Sequence, residues 1–186
     1  MGNNNLKFAF KEIKNIRSLC GASMLAALNI VLNYTTVFIN STLRVGFSSI
    51  TVALSAMLFG PWLAGFMGMG MDIIKYLLRP DGPYFAGFAL NEFIIAAIYG
   101  CLLYRKKFNL NRVIIARTLH TVIINLILTP LWLDIIYSLP FMASFIPRLV
   151  KNILMLPLDI FILYMFLKVV VKISANVPFL KERIVG

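Results

Sequence analysis

Six apolar stretches, most of them long enough to cross a bilayer as helices, decide what this chain can become. The first runs from Ser18 to about Ile39, close to the ~20 residues a helix needs to span the hydrocarbon. Basic residues precede it, as in a secretory signal peptide, but the run exceeds the roughly 7–15 residues of such a leader's apolar core. It is expected to be a retained first helix. The second stretch, Ser48 to Phe59, has only 12 residues and is followed by Gly60-Pro61. At ~1.5 Å per residue it falls short of a ~30 Å core, so it is either a short helix entered from a dipping loop or a re-entrant segment. Pro61 marks a helix start, where its missing N–H costs nothing. The remaining stretches are Trp62 to Leu78, Gly87 to Tyr104, Val113 to Ile136 and Phe145 to Val171. An all-α integral membrane bundle of six transmembrane helices follows.

Only 13% of the residues are charged, against about 25% in soluble domains. The formal charge is nonetheless +11, which raises nucleic acid as a partner. The positions decide otherwise. Lys7, Lys11, Lys14 and Arg17 precede the first span; Arg105, Lys106, Lys107 and Arg112 join the fourth and fifth; Lys168, at the end of the sixth, is followed by Lys172, Lys181 and Arg183. Six spans put all three clusters on the cytoplasmic side with both termini, and the uncharged connection Tyr137 to Ser144 outside, as the positive-inside rule requires. The organisation is a cytoplasmic segment 1–17, a membrane domain 18–172 and a cytoplasmic tail 173–186. The lipid bilayer, not nucleic acid, is the partner these charges address.

Six cations remain after topology is subtracted. Arg117 lies one turn inside the fifth helix and is expected to snorkel to the cytoplasm. Arg44, Lys75, Arg79, Arg148 and Lys151 map to the outer half or outer loops, where ionisable groups are costly unless they face a cavity or one another. Asp72, Asp81 and Asp134 offer internal pairing for some of them. The same zone holds Tyr84, Phe85, Trp132, Tyr137, Phe141 and Phe145, as a ligand pocket or an interfacial belt. It also holds the amides Asn29, Asn33 and Asn91, with Glu92 beside the last. Cations, aromatic faces and amides in one mouth suit a flat heteroaromatic with a carboxylate tail.

Other chemistries lack their residues. No Gly-rich phosphate loop is present, and His120 with the separated Cys20 and Cys101 makes neither a metal site nor a disulfide framework. The two thiols are expected to serve packing. No paired carboxylates or nucleophile beside a base point to an intramembrane enzyme. On the first helix Gly21, Ala22, Ser23, Ala26 and Ala27 form a small-residue face that lets another helix approach, within the chain or from another subunit.

Several pieces of the chain together resemble the substrate-binding S components of energy-coupling factor vitamin transporters, and within them the folate-specific branch. They are Leu43-Arg44-Val45-Gly46-Phe47; Leu58-Phe59-Gly60-Pro61 with Gly65, Gly68 and Asp72; Tyr84-Phe85-Ala86-Gly87-Phe88; Trp132-Leu133 with Tyr137; and Pro147-Arg148-Leu149 ahead of Pro157. The resemblance spans roughly Ala22 to Pro157. Two positions depart from the folate-type pattern: Thr129-Pro130 replaces an Asn-Thr pair, and Asp134 replaces a small polar residue.

The resemblance implies a multi-pass protein of the bacterial plasma membrane that binds its vitamin near the outer face. It implies a transmembrane coupling subunit and two ATPases as partners, which use ATP and magnesium while this chain carries no cofactor. Ala22 and Ala26 would meet the coupling subunit, and delivery would proceed by reorientation of the whole chain in the membrane. For folate, Trp132 and Phe85 would flank the pterin, Asp72, Asn33 or Asp134 would bond its edge, and Arg44, Lys75, Arg79 and Arg148 would hold the glutamate carboxylates. Pantothenate and riboflavin are the alternative vitamins.

Overall fold

The computed structural model describes residues 9, 12–34, 37–38, 44–45, 48–80, 83–138 and 140–174. The described residues form helical rods joined by short connections: α1 (Ile16–Tyr34), α2 (Ser48–Phe59), α3 (Pro61–Leu78), α4 (Ala86–Leu103), α5 (Leu110–Tyr137) and α6 (Phe141–Ser174). Among the described residues, five stretches are long and apolar enough to cross a membrane, with α2 and α3 together making one of them. Their outward faces carry apolar side chains such as Met24, Leu77 and Leu154, all more than 70% exposed, as lipid-facing helices require.

The first helix ends at Tyr34, five residues short of the expected Ile39. The chain continues as β1 (Val37–Phe38), paired antiparallel with β2 (Arg44–Val45), Val37 opposite Val45 and Phe38 opposite Arg44. Val37 suits the change, because a β-branched side chain is stiff at χ1 and favours the extended backbone. Hydropathy alone does not register that switch.

The short stretch is a helix after all, and an interior one. Ten residues of α2, Ile50 to Phe59, are buried, packed among α1, α3 and α4. Gly60 then takes φ +87°, a conformation side-chain-bearing residues avoid, and Pro61 opens α3. The turn thus reverses the chain, for Ser48 at the start of α2 and Asp72 and Lys75 toward the end of α3 line one cavity, although a hydropathy window reads the two helices as one. Across it, Gly100 of α4 comes so close that a Cβ would stand 2.6 Å from the Pro61 Cα.

Gly21, Ala22 and Ala26 of the small-residue face of α1 turn inward. A Cβ on Gly21 would meet the Phe59 ring at 2.6 Å, Ala22 is 1% exposed within the core, and Ala26 packs against that core. Ala22, expected at a partner face, is instead an internal contact, because a small residue serves close approach equally well inside a chain. The exposed small residues of this helix are Ser23 and Ala27. Cys20 and Cys101 are free and exposed rather than packed inside.

Helix α5 is α-helical over Leu110–His120, π-helical over Thr121–Leu128 and α-helical again over Thr129–Tyr137. Pro130 stands just beyond the wide turns. A proline ring clashes with the carbonyl four residues back in a tight α-helix, and the widened segment relieves that crowding. The Thr129 hydroxyl donates to the Ile124 carbonyl at 2.8 Å across the junction. The following helix, α6, begins at Phe141 instead of Phe145 and contains Pro147 and Pro157.

Candidate ligand-binding site

Two polar cavities adjoin one another within the helical bundle. The outer one, of about 560 Å³, lies among the ends of α1, α3, α4 and α5 and the segment before α4. Its wall includes Asn33, Asp72, Lys75, Tyr76, Arg79 and Phe85. The inner one, of about 240 Å³, lies among α2, α4, α5 and α6 and includes Arg117, His120, Asn125, Arg148, Lys151 and Asp159. Ser48 and Glu92 belong to both walls and mark the boundary.

Helical spacing makes these walls. On α3, Asp72 and Lys75 follow Gly68 along one face, at the spacing that stacks side chains turn upon turn, and Arg79 caps the end of that helix. Gly68 abuts α4 so tightly that a Cβ there would lie 3.3 Å from the Glu92 Cβ. That approach brings Lys75 Nζ to 3.5 Å from Glu92 Oε1. The partner of Lys75 is therefore Glu92, not Asp72 as sequence proximity suggested. On α6, Arg148, the adjacent Lys151 and Asn152, Met155 and Asp159 line the inner cavity, turn after turn on one side of the helix.

The aromatic wall has a defined order. Phe85 and Phe88 line the outer cavity, with Tyr84 beside them packed on Tyr76 at a ring separation of 5.1 Å. Trp132 is half-buried behind Phe85, ring centroids 5.3 Å apart, and its indole N–H donates to Asn91 Oδ1 at 3.0 Å. These two rings touch, so no third ring lies between them; the expected flanking of a ligand by both becomes a single aromatic face backed by the indole. Gly87 permits the arrangement, because a Cβ there would stand 2.3 Å from the Phe85 ring and 2.9 Å from Trp132.

Arg117 departs most from its expected role. It is 8% exposed and is held inside the bundle instead of snorkelling outward. Its Nη2 donates to Asp159 Oδ2 at 2.5 Å, and its Nη1 lies 3.2 Å from His120 Nδ1, which also meets the Tyr99 hydroxyl at 3.1 Å. A cluster from α4, α5 and α6 thus closes the inner cavity.

Of the sequence-predicted set, Asn33, Asp72, Lys75, Arg79 and Phe85 come together at the outer cavity and Arg148 at the inner. Trp132 supports the wall from behind. Asp134 is exposed and lines neither cavity. Arg44 lies on β2 opposite Phe38, and its side chain falls outside the described residues. Sequence reasoning missed Glu92, Tyr76 and Asp159 as lining groups; the spacing of Phe88 and Glu92 along α4, with Phe85 just before it, was the available signal.

Apolar membrane helices around adjoining cavities rich in cations, carboxylates and aromatic rings define a membrane protein that binds a polar organic solute. Residues 17–167 match the family model described as ECF transporter, substrate-specific component, and the chain belongs to that family. It is a multi-pass membrane subunit that binds the transported substrate, not an enzyme. Among relatives, it is 40% identical over 122 residues to the folate transporter FolT of Clostridium novyi (strain NT), covering 66% of this chain and 71% of that one. It is 31% identical over 173 residues to the folate transporter FolT of Leuconostoc mesenteroides subsp. mesenteroides, covering 90% and 92%. A crystal structure of FolT bound with folic acid superposes with a TM-score of 0.72 at 37% identity, over 80% of this chain and 90% of that one.

Proposed function

We propose that this chain captures folate at the outer side of the membrane and delivers it, by reorienting in the bilayer, to a coupling subunit driven by two ATPases. The observation that carries the reading is the outer cavity: a Phe85–Phe88 face for a flat ring, within reach of Asn33 and Asp72, beside Lys75 and Arg79. The inner cavity adds Arg148 and Lys151 for tail carboxylates. Arg44, on the hairpin leading into α2, is the further cation of the proposed set, while Asp134, off both walls, is left out of it. Kinship with a chain crystallised with folic acid supports folate over pantothenate or riboflavin. Thermal unfolding of the purified protein with each vitamin tests this, because a ligand that binds only the folded state raises its stability. Folate alone is expected to raise the midpoint; a rise with riboflavin or pantothenate instead would reassign the vitamin.

In the same reading all six rods cross the membrane, with residues 1–17 and 173–186 cytoplasmic. A cysteine at Ser138 in a background lacking Cys20 and Cys101 should react with an impermeant thiol reagent added to whole cells. One at Lys107 should not, and the reverse pattern would invert the topology.

ATP and magnesium are used by the partners. Since Ala22 is internal, the coupling contact moves to the exposed side of α1 around Ser23 and Ala27. Ala27→Trp is expected to stop uptake in cells while leaving folate binding intact; normal uptake would remove this face from the interface.

A further inference from the structure

We infer that Glu92 reads the ring of the captured ligand, accepting two adjacent N–H donors of a 2-amino-4-oxo heterocycle and disfavouring a 2,4-dioxo ring. The inference rests on the folate reading above and names the residue that sets its specificity. Glu92 and Ser48 are the residues shared by the two cavity walls, so a carboxylate stands where one space passes into the other. Phe88 and Glu92 lie one turn apart on α4, and Phe85, in the extended residue just before the helix, lines the same cavity. A ring lying on the phenyl face therefore presents its edge to Glu92 one turn further on. Lys75 Nζ lies 3.5 Å from Oε1 and supplies the counter-charge a carboxylate needs inside a membrane protein.

The chemistry then selects the ring. An ionised carboxylate is an acceptor at both oxygens and matches two parallel N–H donors. A 2-amino-4-oxo pyrimidine edge offers that pair, from the ring nitrogen and the exocyclic amine. A 2,4-dioxo edge offers one N–H between two carbonyls and sets lone pair against lone pair. The other carboxylates serve less well. Asp159 Oδ2 is engaged by Arg117 at 2.5 Å. Asp72 lines only the outer cavity and, among the described residues, has no cation within ion-pair distance.

The test titrates purified protein with folic acid and with its 2-deamino-2-oxo analogue. The wild type is expected to prefer folic acid by roughly 10- to 100-fold, the range for hydrogen bonds to a charged group. Glu92→Gln turns one acceptor into a donor, so it should weaken folic acid binding by a similar factor and equalise or reverse the preference. An unchanged preference in that variant, or a shift produced by Asp72→Asn instead, overturns the assignment. If Glu92→Gln is not recovered folded, Glu92→Asp serves: it keeps both acceptors but withdraws them by a methylene. It should bind folic acid about tenfold more weakly with the preference kept; undiminished affinity overturns the assignment. A wild type that binds neither compound contradicts the folate reading itself, whereas one that binds folic acid isolates any failure to Glu92.

Discussion

Lys75 with Glu92 and Arg117 with Asp159 are both cation–carboxylate pairs on cavity walls inside a membrane domain, yet they differ in kind. The Arg117 pair is short, at 2.5 Å, and the same guanidinium reaches His120, which in turn meets Tyr99. Its Arg side chain is 9% exposed, and three helices meet at the cluster. The Lys75 pair is loose, at 3.5 Å, and each side chain faces the larger cavity. A well-connected buried pair holds helices together and has little left to offer a solute; a loose pair beside open space can exchange its partner for a ligand at little cost. The contrast assigns Arg117 to architecture and the Lys75 neighbourhood to binding.

The largest expected effect separates these roles. Arg117→Ala strands Asp159 in a poorly solvated position and should cost about 3–5 kcal/mol, enough to abolish recovery of folded protein from detergent. Lys75→Met should be recovered with a near-normal thermal midpoint and weakened folate binding. Equal stability losses would erase the distinction. Next, Arg148→Ala should weaken folate roughly 10- to 100-fold while changing pteroate, which lacks the glutamate, far less. Equal losses for both would take Arg148 out of the tail-binding role. The smallest effect sharpens the aromatic wall. Trp132→Phe keeps a ring behind Phe85 but removes the N–H to Asn91, which should cost about 1 kcal/mol of stability. Because the indole backs the wall rather than touching the ligand, folate affinity should drop only a few-fold; a hundredfold loss would put Trp132 against the ligand directly.

The rods were legible in the sequence because apolar length and the Gly60-Pro61 break are local signals. The gathering of Asp72, Lys75 and Arg79 was legible for the same reason, since the first two share one helix face and the third caps that helix. Four features were not. The end of α1 at Tyr34 is hidden by apolar β-branched residues, which suit a strand as well as a span. Ala22 was misread because a small side chain signals close approach without naming the partner. Arg117 sits near a helix end, where snorkelling is the ordinary outcome, and its actual partner is 42 residues away on α6. Glu92 was visible beside Asn91, but its importance comes from Gly68 on the neighbouring helix, a contact between elements that no single-segment pattern carries.

The central claim is that the two adjoining cavities bind folate. Equilibrium titration of the purified, ligand-free protein with folic acid tests it most directly. The account predicts saturable one-to-one binding with a Kd below ~1 μM, or about −8 kcal/mol. Binding no tighter than ~1 mM would contradict it.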